Sequence, residues 1–383
     1  MSETIWQYRA NDAPWVRMGV NMDTLPISVL VDTYNHERFI EEAIVSVLEQ
    51  DFPSAEMEIL VVDDGSTDRT AEIVRKFAPR VRYLYKENGG QASAFNFGVP
   101  KARGEIIAFL DGDDWWAQNK LQLVMAAFEK NPDAGTVGHG IIEFDSAVNS
   151  STALAPKLTG YFDLASNEGA QVFRNFMAFL GTSRVSIRKR VLDEILPVPE
   201  ALVVEADEFM ATMAVAHAGA VFLPEPLTFY RLHDENLFQF RVGDPVRMRR
   251  KLRVLACLAS DLPIQLAKIG ITASAISIVV EPIRISVSRM MLMLDGGMPW
   301  QTYRVERAGF ALSYQSVSLG YRIYKELSLL LALLLPPRLY YKFRTSYAER
   351  DLRRFRSWLG EPKPRAQVSE VLLSPGTSPG ADK

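Results

Sequence analysis

The chain has 383 residues, of which 48% are hydrophobic and 23% charged, enough for one large domain with an appendage or for two domains. A formal net charge of −3 argues against a general nucleic-acid-binding protein, so no nucleic acid is expected as a partner. The single cysteine, Cys257, excludes a disulfide framework, and four scattered histidines do not suggest a zinc site of the usual Cys/His kind.

A regular alternation of strands and helices follows a lead-in at residues 1–25. The lead-in has neither the apolar core nor the cleavage pattern of a signal peptide. From residue 26, β-branched runs predict strands, and apolar residues at helical spacing predict the helices between them. The predicted strands are ISVLV, EILVV, VRYLY and EIIAFL, and the predicted helices cover 40–48, 67–77 (with Ser66 or Thr67 as N-cap), 92–99 and 120–130. This order predicts a parallel sheet with right-handed crossovers.

The pattern changes after residue 134. The next expected elements are short strands near Thr136, Val185, Val221 and Phe229, and a helix over 208–218. From Pro245 to about Tyr324 helical periodicity dominates, and the end of the chain is rich in Pro, Gly and Ser. We therefore expect an α/β domain at residues 26–240, a helical accessory region at 241–356 and a disordered tail at 357–383.

Two acidic turns directly follow apolar strands. The first contains Asp63 and Asp64, and the second contains Asp111, Asp113 and Asp114. Either turn alone could be an ordinary solvated turn. Continuous apolar strands are typical of parallel sheets, however, and the carboxyl ends of such strands meet at the ligand-binding edge. Five carboxylates gathered there would repel one another, so a hard divalent cation shared with a phosphorylated ligand is expected.

Four segments together resemble the serial motifs of family 2 glycosyltransferases, which have the GT-A fold. They are VDTYN at 31–35, VVDDGSTD at 61–68, NGGQASAFN at 88–96 and LDGDD at 110–114. The resemblance covers roughly residues 26–236. It implies a GT-A-type Rossmann-like mixed sheet flanked by helices, a nucleotide-sugar donor, a divalent cation and inversion at the anomeric carbon.

The resemblance also implies roles for individual residues. Asp64 matches the aspartate that accepts a hydrogen bond from the nucleobase, and Thr33 and Tyr34 would flank that base. Asp111 matches the first acid of the DxD motif, which faces the ribose. Asp113 matches the second acid, the ligand of Mn²⁺ or Mg²⁺. A hard cation there would bridge the two phosphates and stabilise the departing diphosphate.

Two positions depart from the family's common pattern. Asp32 stands where proline is common, and it could instead read the base or ribose. Phe95 precedes Asn96 where arginine is common, which leaves less positive charge at the diphosphate. Together with Asp32, the segment residues Gly90 and Gln91 are assigned to donor binding.

The acids near residue 207 resemble the motif that supplies the family's general base. A base must take the proton of the acceptor hydroxyl as that oxygen attacks the sugar. We assign this role to Asp207. The usual spelling is Glu-Asp in direct sequence, but Ala206 separates the acids here, so Glu205 and Glu208 remain rivals. The alternative is that these acids only complement a helix dipole.

A later segment, from Leu223 to Asn236, resembles the closing strand and loop of these catalytic domains. Within it His233 could contact the metal or the diphosphate, although a lone histidine is more often structural. The other three histidines, His36, His139 and His217, are expected to be structural.

The C-terminal region suggests contact with a membrane surface. No stretch reaches about 18 uninterrupted apolar residues, so no spanning helix is expected. The leucine-rich run at 327–335 is followed by residues 338–356, with seven Lys or Arg against two acids. We expect a cytoplasmic, peripheral protein at the inner face of the cell membrane, with Tyr340 and Tyr341 at headgroup level. The alternative is a buried helix of the accessory bundle.

A second basic cluster at 241–253 could attract an acidic lipid diphosphate or be a solvated helix face.

The resemblance, together with the acidic turns, implies a metal-dependent inverting glycosyltransferase of the hexosyltransferase type. It would move one sugar from a nucleotide-sugar donor, expected to be UDP-linked, to a glycan or lipid-linked acceptor in surface polysaccharide biosynthesis. A nucleotidyltransferase would normally carry a Gly-rich basic loop after the first strand, and residues 33–37 read TYNHE instead. A non-catalytic glycan-assembly scaffold would not need the acids of LDGDD. Since the Gln-x-x-Arg-Trp motif of processive synthases is missing, addition of a single sugar is favoured.

Overall fold

The computed structural model describes residues 25–145, 150–157, 160–233, 244–313, 319–348 and 367–369. Most of the expected lead-in, Asn236, the basic residues 349–356 and most of the expected tail lie outside these ranges. Three tail residues, for which composition predicts disorder, pair as a strand, Gln367–Ser369, with the strand Ser150–Ala155.

Within the described ranges one sheet of eleven strands forms the centre of the molecule. The strands are β1 (Leu25–Thr33), β2 (Met57–Asp63), β3 (Val81–Tyr85), β4 (Gly104–Asp111), β5 (Trp115–Trp116), β6 (Thr136–Asp145), β7 (Ser150–Ala155), β8 (Tyr161–Phe162), β9 (Val185–Arg188), β10 (Ala220–Leu232) and β11 (Gln367–Ser369).

The sheet is parallel in its first half and mixed in its second half. Strands β3, β2, β1 and β4 lie side by side and parallel, as the alternation predicts. Strand β9 then pairs antiparallel with both β4 and β6, and β10 runs parallel to β6. Short antiparallel partners, β5 and β8, lie against β10. The expected mixed α/β sheet is confirmed.

Helices cover both faces of the sheet and continue into the C-terminal part. They are α1 (Ile40–Leu48), α2 (Thr70–Arg75), α3 (Gln91–Gly98), α4 (Lys120–Lys130), α5 (Asn167–Phe176), α6 (Lys189–Ile195), α7 (Ala206–Ala218), α8 (Pro245–Lys268), α9 (Ala273–Leu294), α10 (Pro299–Ser313), α11 (Leu319–Leu334) and α12 (Pro337–Ala348). Short 3₁₀ helices occur at Ser54–Glu56, Val99–Lys101, Met177–Leu180 and Thr182–Arg184. The helical C-terminal part is confirmed.

The central strands are apolar throughout because both of their faces are buried. Side chains of a strand alternate between faces. Val29 and Val31 of β1 therefore join the core under α1 and α4, while Leu30 joins the core under α3 and α7. The second core continues without a break past residue 240 into α8 and α9, for example at Leu258 and Val280. The first two helices of the accessory region thus share a core with the sheet.

The second helix begins later than the sequence predicts. Neither Ser66 nor Thr67 is its N-cap, because helix α2 starts at Thr70. Instead the backbone N–H of Asn35 donates to Ser66 Oγ at 2.9 Å, and Asn35 Oδ1 accepts from the backbone of Thr67 at 2.8 Å. These residues join the ends of β1 and β2 rather than capping a helix, and the expected N-cap was wrong.

The two tyrosines expected at a membrane surface are buried instead. Tyr340 and Tyr341 pack with Leu292 and Ala332 in a small core, and only 6% and 3% of their surfaces are exposed. The hydroxyl of Tyr341 lies 3.1 Å from Oε1 of Glu306. The prediction for these two side chains was therefore wrong, because they belong to the inward face of α12.

No helix in the described ranges combines the length and the apolar character needed to cross a membrane.

Candidate active site

The carboxylates of two strand ends meet at one edge of the sheet. Asp32 near the end of β1 lies directly opposite Asp111 at the end of β4 in the parallel register. The turn that follows β4 is tied back to β1, since Gly112 N–H donates to the carbonyl of Asp32 at 2.9 Å. This places the acidic turn after β4 at the carboxyl edge of the sheet, where such folds bind ligands.

Crowding and burial disfavour the charge on two of these acids. Burial raises the pKa of Asp32 well above its usual value, and the charges of Asp113 and Asp207 add to the effect. Burial, followed by the charges of Asp32 and Asp113, does the same to the pKa of Asp111. Asp207 also contributes there, so the structure brings the four carboxylates into mutual electrostatic range. A cation among them would favour their ionised forms.

Asp113 differs because two histidines face it. His233 Nε2 lies 3.0 Å from Asp113 Oδ2, and His36 Nε2 lies 3.9 Å from the same oxygen. Burial opposes ionisation, but the hydrogen bond from His233 and the charge of His36 outweigh it and lower the pKa of Asp113. His36, which sequence analysis treated as structural, therefore lies in the site, and its Nδ1 is 3.2 Å from Thr33 Oγ1.

An arginine from β10 fixes the acidic turn in place. The backbone N–H of Arg231 donates to Asp114 Oδ1 at 3.0 Å, and its Nε donates to the carbonyl of Asp113 at 3.1 Å. The guanidinium lies over the ring of Trp115, with 4.4 Å from Cζ to the centroid. Asp114 is buried, and burial together with the charge of Asp113 raises the pKa of Asp114 to about 7. Asp114 is thus a buried side chain that links the acidic turn to the backbone of β10.

Asp64 is held by the loop that carries the glycine pair. Its carboxylate accepts from Lys86 Nζ at 2.6 Å, from the backbone of Gly90 at 2.7 Å and from the backbone of Gly89 at 3.0 Å. Gly90 has φ = 85°, and a Cβ there would lie 2.6 Å from the Cα of Val203, so only glycine fits. The carboxylate predicted to face a nucleobase is thus bonded to several donors of the glycine loop.

The other residues assigned to donor binding lie around the same edge. Tyr34 is 43% exposed at the rim, whereas Thr33 is buried and bonded to His36. Gln91 links two elements rather than pointing into open space. Its Nε2 donates to Thr182 Oγ1 at 3.0 Å, and its Oε1 accepts from the backbone of Ala206 at 2.9 Å. Gln91 therefore joins the glycine loop to the start of α7.

Asp207 lies in the first turn of α7, beside this link. Its Oδ2 accepts from the backbone N–H of Thr182 at 3.0 Å and from the Thr182 hydroxyl at 3.2 Å. Its Oδ1 accepts from the backbone of Glu208 at 3.0 Å. A carboxylate has about four lone-pair positions, so these three donors orient the group and leave it able to accept another proton. Asp207 remains partly exposed.

The two rival acids are less suited to act as a base. Glu205 is buried, has the left-handed φ of 58°, and its Oε1 is 2.9 Å from Lys251 Nζ on α8. Burial is the largest cause that raises the pKa of Glu205. Burial and the charges of Glu205 and Asp207 raise the pKa of Glu208 to about 8, so Glu208 is protonated at neutral pH.

The donor set fits a hard cation at Asp113. Across the described ranges no group of three or more His, Cys, Asp or Glu side chains is arranged to hold a metal ion by itself. Asp113 and His233 nevertheless converge, and the buried Oδ1 of nearby Asp32 has no hydrogen-bond partner among the described residues. A hard cation that takes two protein ligands can complete its shell with phosphate oxygens and water.

Several residues of the site could not be found from the sequence. Ser183 makes two hydrogen bonds with Asp111. Its hydroxyl oxygen accepts from the backbone N–H of Asp111 at 3.0 Å and donates to Asp111 Oδ2 at 3.2 Å. Together with Thr182 it comes from a turn about 70 positions later in the chain than Asp111. Lys86 and His36 also belong to the site only because the fold brings them next to Asp64 and Asp113. No periodicity or motif marks any of these positions.

Comparisons with known proteins agree on one family. The family model described as glycosyl transferase family 2 matches residues 28–196. A glycosyltransferase of Nostoc sp. strain PCC 7120, itself uncharacterized, is 34% identical over 222 residues, which are 55% of this chain and 66% of that protein. The poly(ribitol-phosphate) β-N-acetylglucosaminyltransferase TarS of Staphylococcus aureus is 37% identical over 111 residues, which are 28% of this chain and 19% of that protein.

Among solved structures, S. aureus TarS 1–349 in complex with UDP is similar over 84% of this chain and 92% of that chain. The TM-score is 0.48 and the sequence identity is 19%. The chain thus spans less than two thirds of the length of each of these curated relatives. The segment that the family model matches, residues 28–196, includes both acidic turns and the turn at Thr182–Arg184.

Proposed function

The chain belongs to glycosyl transferase family 2, and on that premise we propose that it moves one sugar from a nucleotide-sugar donor to an acceptor hydroxyl with inversion at the anomeric carbon. The observation that carries the proposal is that Asp111, Asp113 and Asp207 lie close together. The charges of Asp113 and Asp207 both raise the pKa of Asp111. One side of this cluster suits a donor diphosphate and the other suits an acceptor hydroxyl.

Asp207 is the general base. It takes the proton of the acceptor hydroxyl while that oxygen forms a bond to the anomeric carbon. The bond between that carbon and the diphosphate oxygen breaks, and the electron pair leaves with the nucleoside diphosphate. Two donors from Thr182 hold the receiving carboxylate in one orientation. Backside attack by the acceptor oxygen accounts for the inversion.

Asp113 and His233 would hold a divalent cation, Mn²⁺ or Mg²⁺, next to the donor diphosphate. A bound cation supplies Lewis-acid stabilisation of the leaving diphosphate. Asp111 faces the ribose, Asp32 lies beside it on the next strand, and Asp64 with the exposed ring of Tyr34 receives the base. This assignment draws support from the convergence of Asp113 and His233 at 3.0 Å.

The donor is proposed to be a UDP-sugar and the acceptor a glycan or a lipid-linked glycan of a surface polysaccharide. A relative named for transfer of N-acetylglucosamine to poly(ribitol phosphate) supports a polymer acceptor. The position of α8 is consistent with this, because Lys251 at its basic start forms an ion pair with Glu205, two residues from the proposed base.

A donor screen tests the proposal. Thermal unfolding is followed with UDP-glucose, UDP-galactose, UDP-N-acetylglucosamine and GDP-mannose, each with and without Mn²⁺, because a ligand that binds only the folded state raises its stability. We expect at least one UDP-sugar to raise the unfolding temperature only when Mn²⁺ is present. No shift with any donor, followed by no release of nucleoside diphosphate, would overturn the proposed function.

The protein is also proposed to work at the cytoplasmic face of the membrane. Helix α11 carries an outward stripe of Ile323, Leu327, Leu330 and Leu334, which are between 51% and 75% exposed. Their spacing of four, three and four residues puts them on one face of the helix. Leu329 and Ala332 on the other face are buried, so α11 is anchored on one side and open on the other.

Charge favours a lipid surface over a second copy of the chain as the occupant. Residues 319–348 carry five Lys or Arg and one Glu, a net charge of +4, in a chain whose net charge is −3. An anionic membrane attracts such a segment, whereas a second copy would bring the same positive charge to the contact. Tyr340 and Tyr341 are not part of this surface, because their side chains face inward.

Flotation with anionic and neutral vesicles tests this contact. The full chain is compared with a variant that carries Leu330→Gln and Leu334→Gln, two exposed positions whose change leaves the core intact. We expect the unmodified chain to float with anionic vesicles, and to a smaller extent at high salt. The variant should be recovered mainly in the unfloated fraction. Equal flotation of both would contradict the proposal, as would a dimer in solution that the two changes dissociate.

A further inference from the structure

One short turn supports both halves of the proposed active site. The 3₁₀ helix Thr182–Arg184 precedes β9. Its first residue, Thr182, donates twice to Asp207, and its second residue, Ser183, is bonded twice to Asp111. Since Thr182 and Ser183 are neighbours in the chain, any shift of this turn displaces the supports of the base and of the donor-side carboxylate together.

The carbonyl of Ser183 is fixed by three buried donors. Trp116 Nε1 donates to it at 3.0 Å, Lys120 Nζ at 3.0 Å and Thr228 Oγ1 at 2.5 Å. The three donors come from β5, α4 and β10, which are separate elements of the fold. A carbonyl oxygen has two lone pairs, so three donors more than satisfy it. The carbonyl therefore has little freedom to move in any direction.

Lys120 is the least expected of the three donors. Its side chain is fully buried, and no ion pair joins it to a carboxylate among the described residues. Its Nζ lies 3.3 Å from the centroid of the Trp116 ring, a contact that favours a cation. Burial lowers the pKa of Lys120 well below its usual value. The charge of Asp114 opposes this shift, but no described carboxylate forms an ion pair with the amine, so an apolar residue of this length would be the more stable choice.

We propose that Lys120 is a positioning residue for catalysis, which holds the Ser183 carbonyl so that Ser183 meets Asp111 and Thr182 meets Asp207. Lys120 lies behind the turn and acts through Ser183 and Thr182. The inference rests on the proposed function, because it takes Asp111 and Asp207 as the donor-side acid and the base. Its consequence is that loss of Lys120 lowers kcat more than it weakens donor binding.

Substitution of Lys120 by methionine tests the proposal against a matched control. Lys120→Met keeps the length of the side chain and removes the donor. Val124→Ala, one turn further along α4, removes buried volume from the same helix without removing any hydrogen-bond donor to Ser183. The probe is release of nucleoside diphosphate from UDP-glucose, UDP-galactose, UDP-N-acetylglucosamine or GDP-mannose, whichever the unmodified protein turns over fastest.

We expect Lys120→Met to lower kcat by about tenfold, the order that the loss of one buried hydrogen bond corresponds to, with KM for the donor changed by less than about threefold. Val124→Ala should keep kcat within about twofold even when its unfolding temperature falls as far. Trp116→Phe keeps a buried aromatic ring but removes Nε1–H together with part of the ring volume, so it should shift kcat in the same direction by about two- to tenfold, whether or not Lys120→Met folds.

A double-mutant cycle separates positioning from general stability. If Lys120 acts through Ser183, the loss of kcat in the variant with both Lys120→Met and Ser183→Ala is smaller than the product of the single losses. Multiplicative losses, or equal losses of kcat in Lys120→Met and Val124→Ala at equal loss of stability, would overturn this inference alone. An unmodified protein that turns over none of the four donors would overturn the proposed function and this inference with it.

Discussion

Thr182 gives both its backbone N–H and its hydroxyl to the same oxygen of Asp207, at 3.0 and 3.2 Å. The hydroxyl also accepts from Gln91 Nε2 at 3.0 Å, so the glycine loop, the turn before β9 and the first turn of α7 are joined at one point. This arrangement turns a partly exposed aspartate into a carboxylate of defined direction, which is what a base needs if it is to meet one hydroxyl.

Removal of the Thr182 hydroxyl tests this link. Thr182→Val should lower kcat by about tenfold, because a hydrogen bond to a charged group is worth about 1.5–3 kcal/mol and the backbone donor remains. Donor affinity should stay nearly constant. Thr212→Val on α7, the helix that carries Asp207, is the matched control, since its hydroxyl donates to the carbonyl of Glu208 instead. Equal losses of kcat in the two variants would show that the hydroxyl of Thr182 has no special part.

Asp113 is predicted to be indispensable for metal binding. Asp113→Ala should abolish turnover and the Mn²⁺ binding seen by electron paramagnetic resonance in the presence of UDP. The fold should persist, because one of several crowded carboxylates is removed. Asp133→Ala, at an exposed position, serves as the control for a lost surface charge. Unchanged Mn²⁺ affinity in Asp113→Ala would refute the assignment.

We predict that Asp207, rather than Glu205 or Glu208, is the general base. Asp207→Asn should lower kcat by about 10²–10⁴-fold with little effect on donor affinity, since the amide cannot take the proton. Glu208→Gln should lose far less, because burial already keeps Glu208 protonated at neutral pH. If Glu205→Gln shows the large loss and Asp207→Asn does not, the base is one motif position away from our assignment.

Glu208 also predicts how stability depends on pH. Its pKa is about 8 in the folded protein against an ordinary value of 4.5, so the native state binds more protons between these values. The stability that this proton contributes is therefore complete below the ordinary value and is lost as the pH rises through about 8. Glu208→Gln cannot titrate. Urea unfolding should thus show the wild type losing stability relative to Glu208→Gln across this window, and parallel pH profiles would contradict the pKa assignment.

The half of the fold that the sequence predicts best is the half built from uninterrupted patterns. Strands β1 to β4 are continuous apolar runs, and each is followed by a helix of regular spacing, so both the elements and their parallel order were predictable. The acidic turns were recognisable because they follow β2 and β4 directly. The sequence predicts two strands where the structure has the single strand β10, since Pro224 and Pro226 break the pattern and coincide with shifts in the register of β10 against β6.

The supports of the site were not predictable, because they depend on contacts between distant segments. Thr182 and Ser183 lie in a turn without a motif, and Lys120 reads as the first polar residue of an amphipathic helix. Only the packing of α4 against β5 and β10 turns its amine toward Ser183. Similarly, the inward direction of Tyr340 and Tyr341 follows from the packing of α12 on α9, which a segment rich in apolar residues does not specify.

The most direct test of the proposed transfer is proton NMR of the purified chain with the diamagnetic cation Mg²⁺, the nucleotide sugar that stabilises it and an acceptor glycan, recorded for the wild type and for Asp207→Asn. For the wild type we predict loss of the anomeric signal of the donor, release of nucleoside diphosphate and appearance of a sugar of inverted anomeric configuration. Asp207→Asn should leave the donor signal almost unchanged over the same time. A product of retained configuration, or equal consumption of donor by the two proteins, would contradict the account.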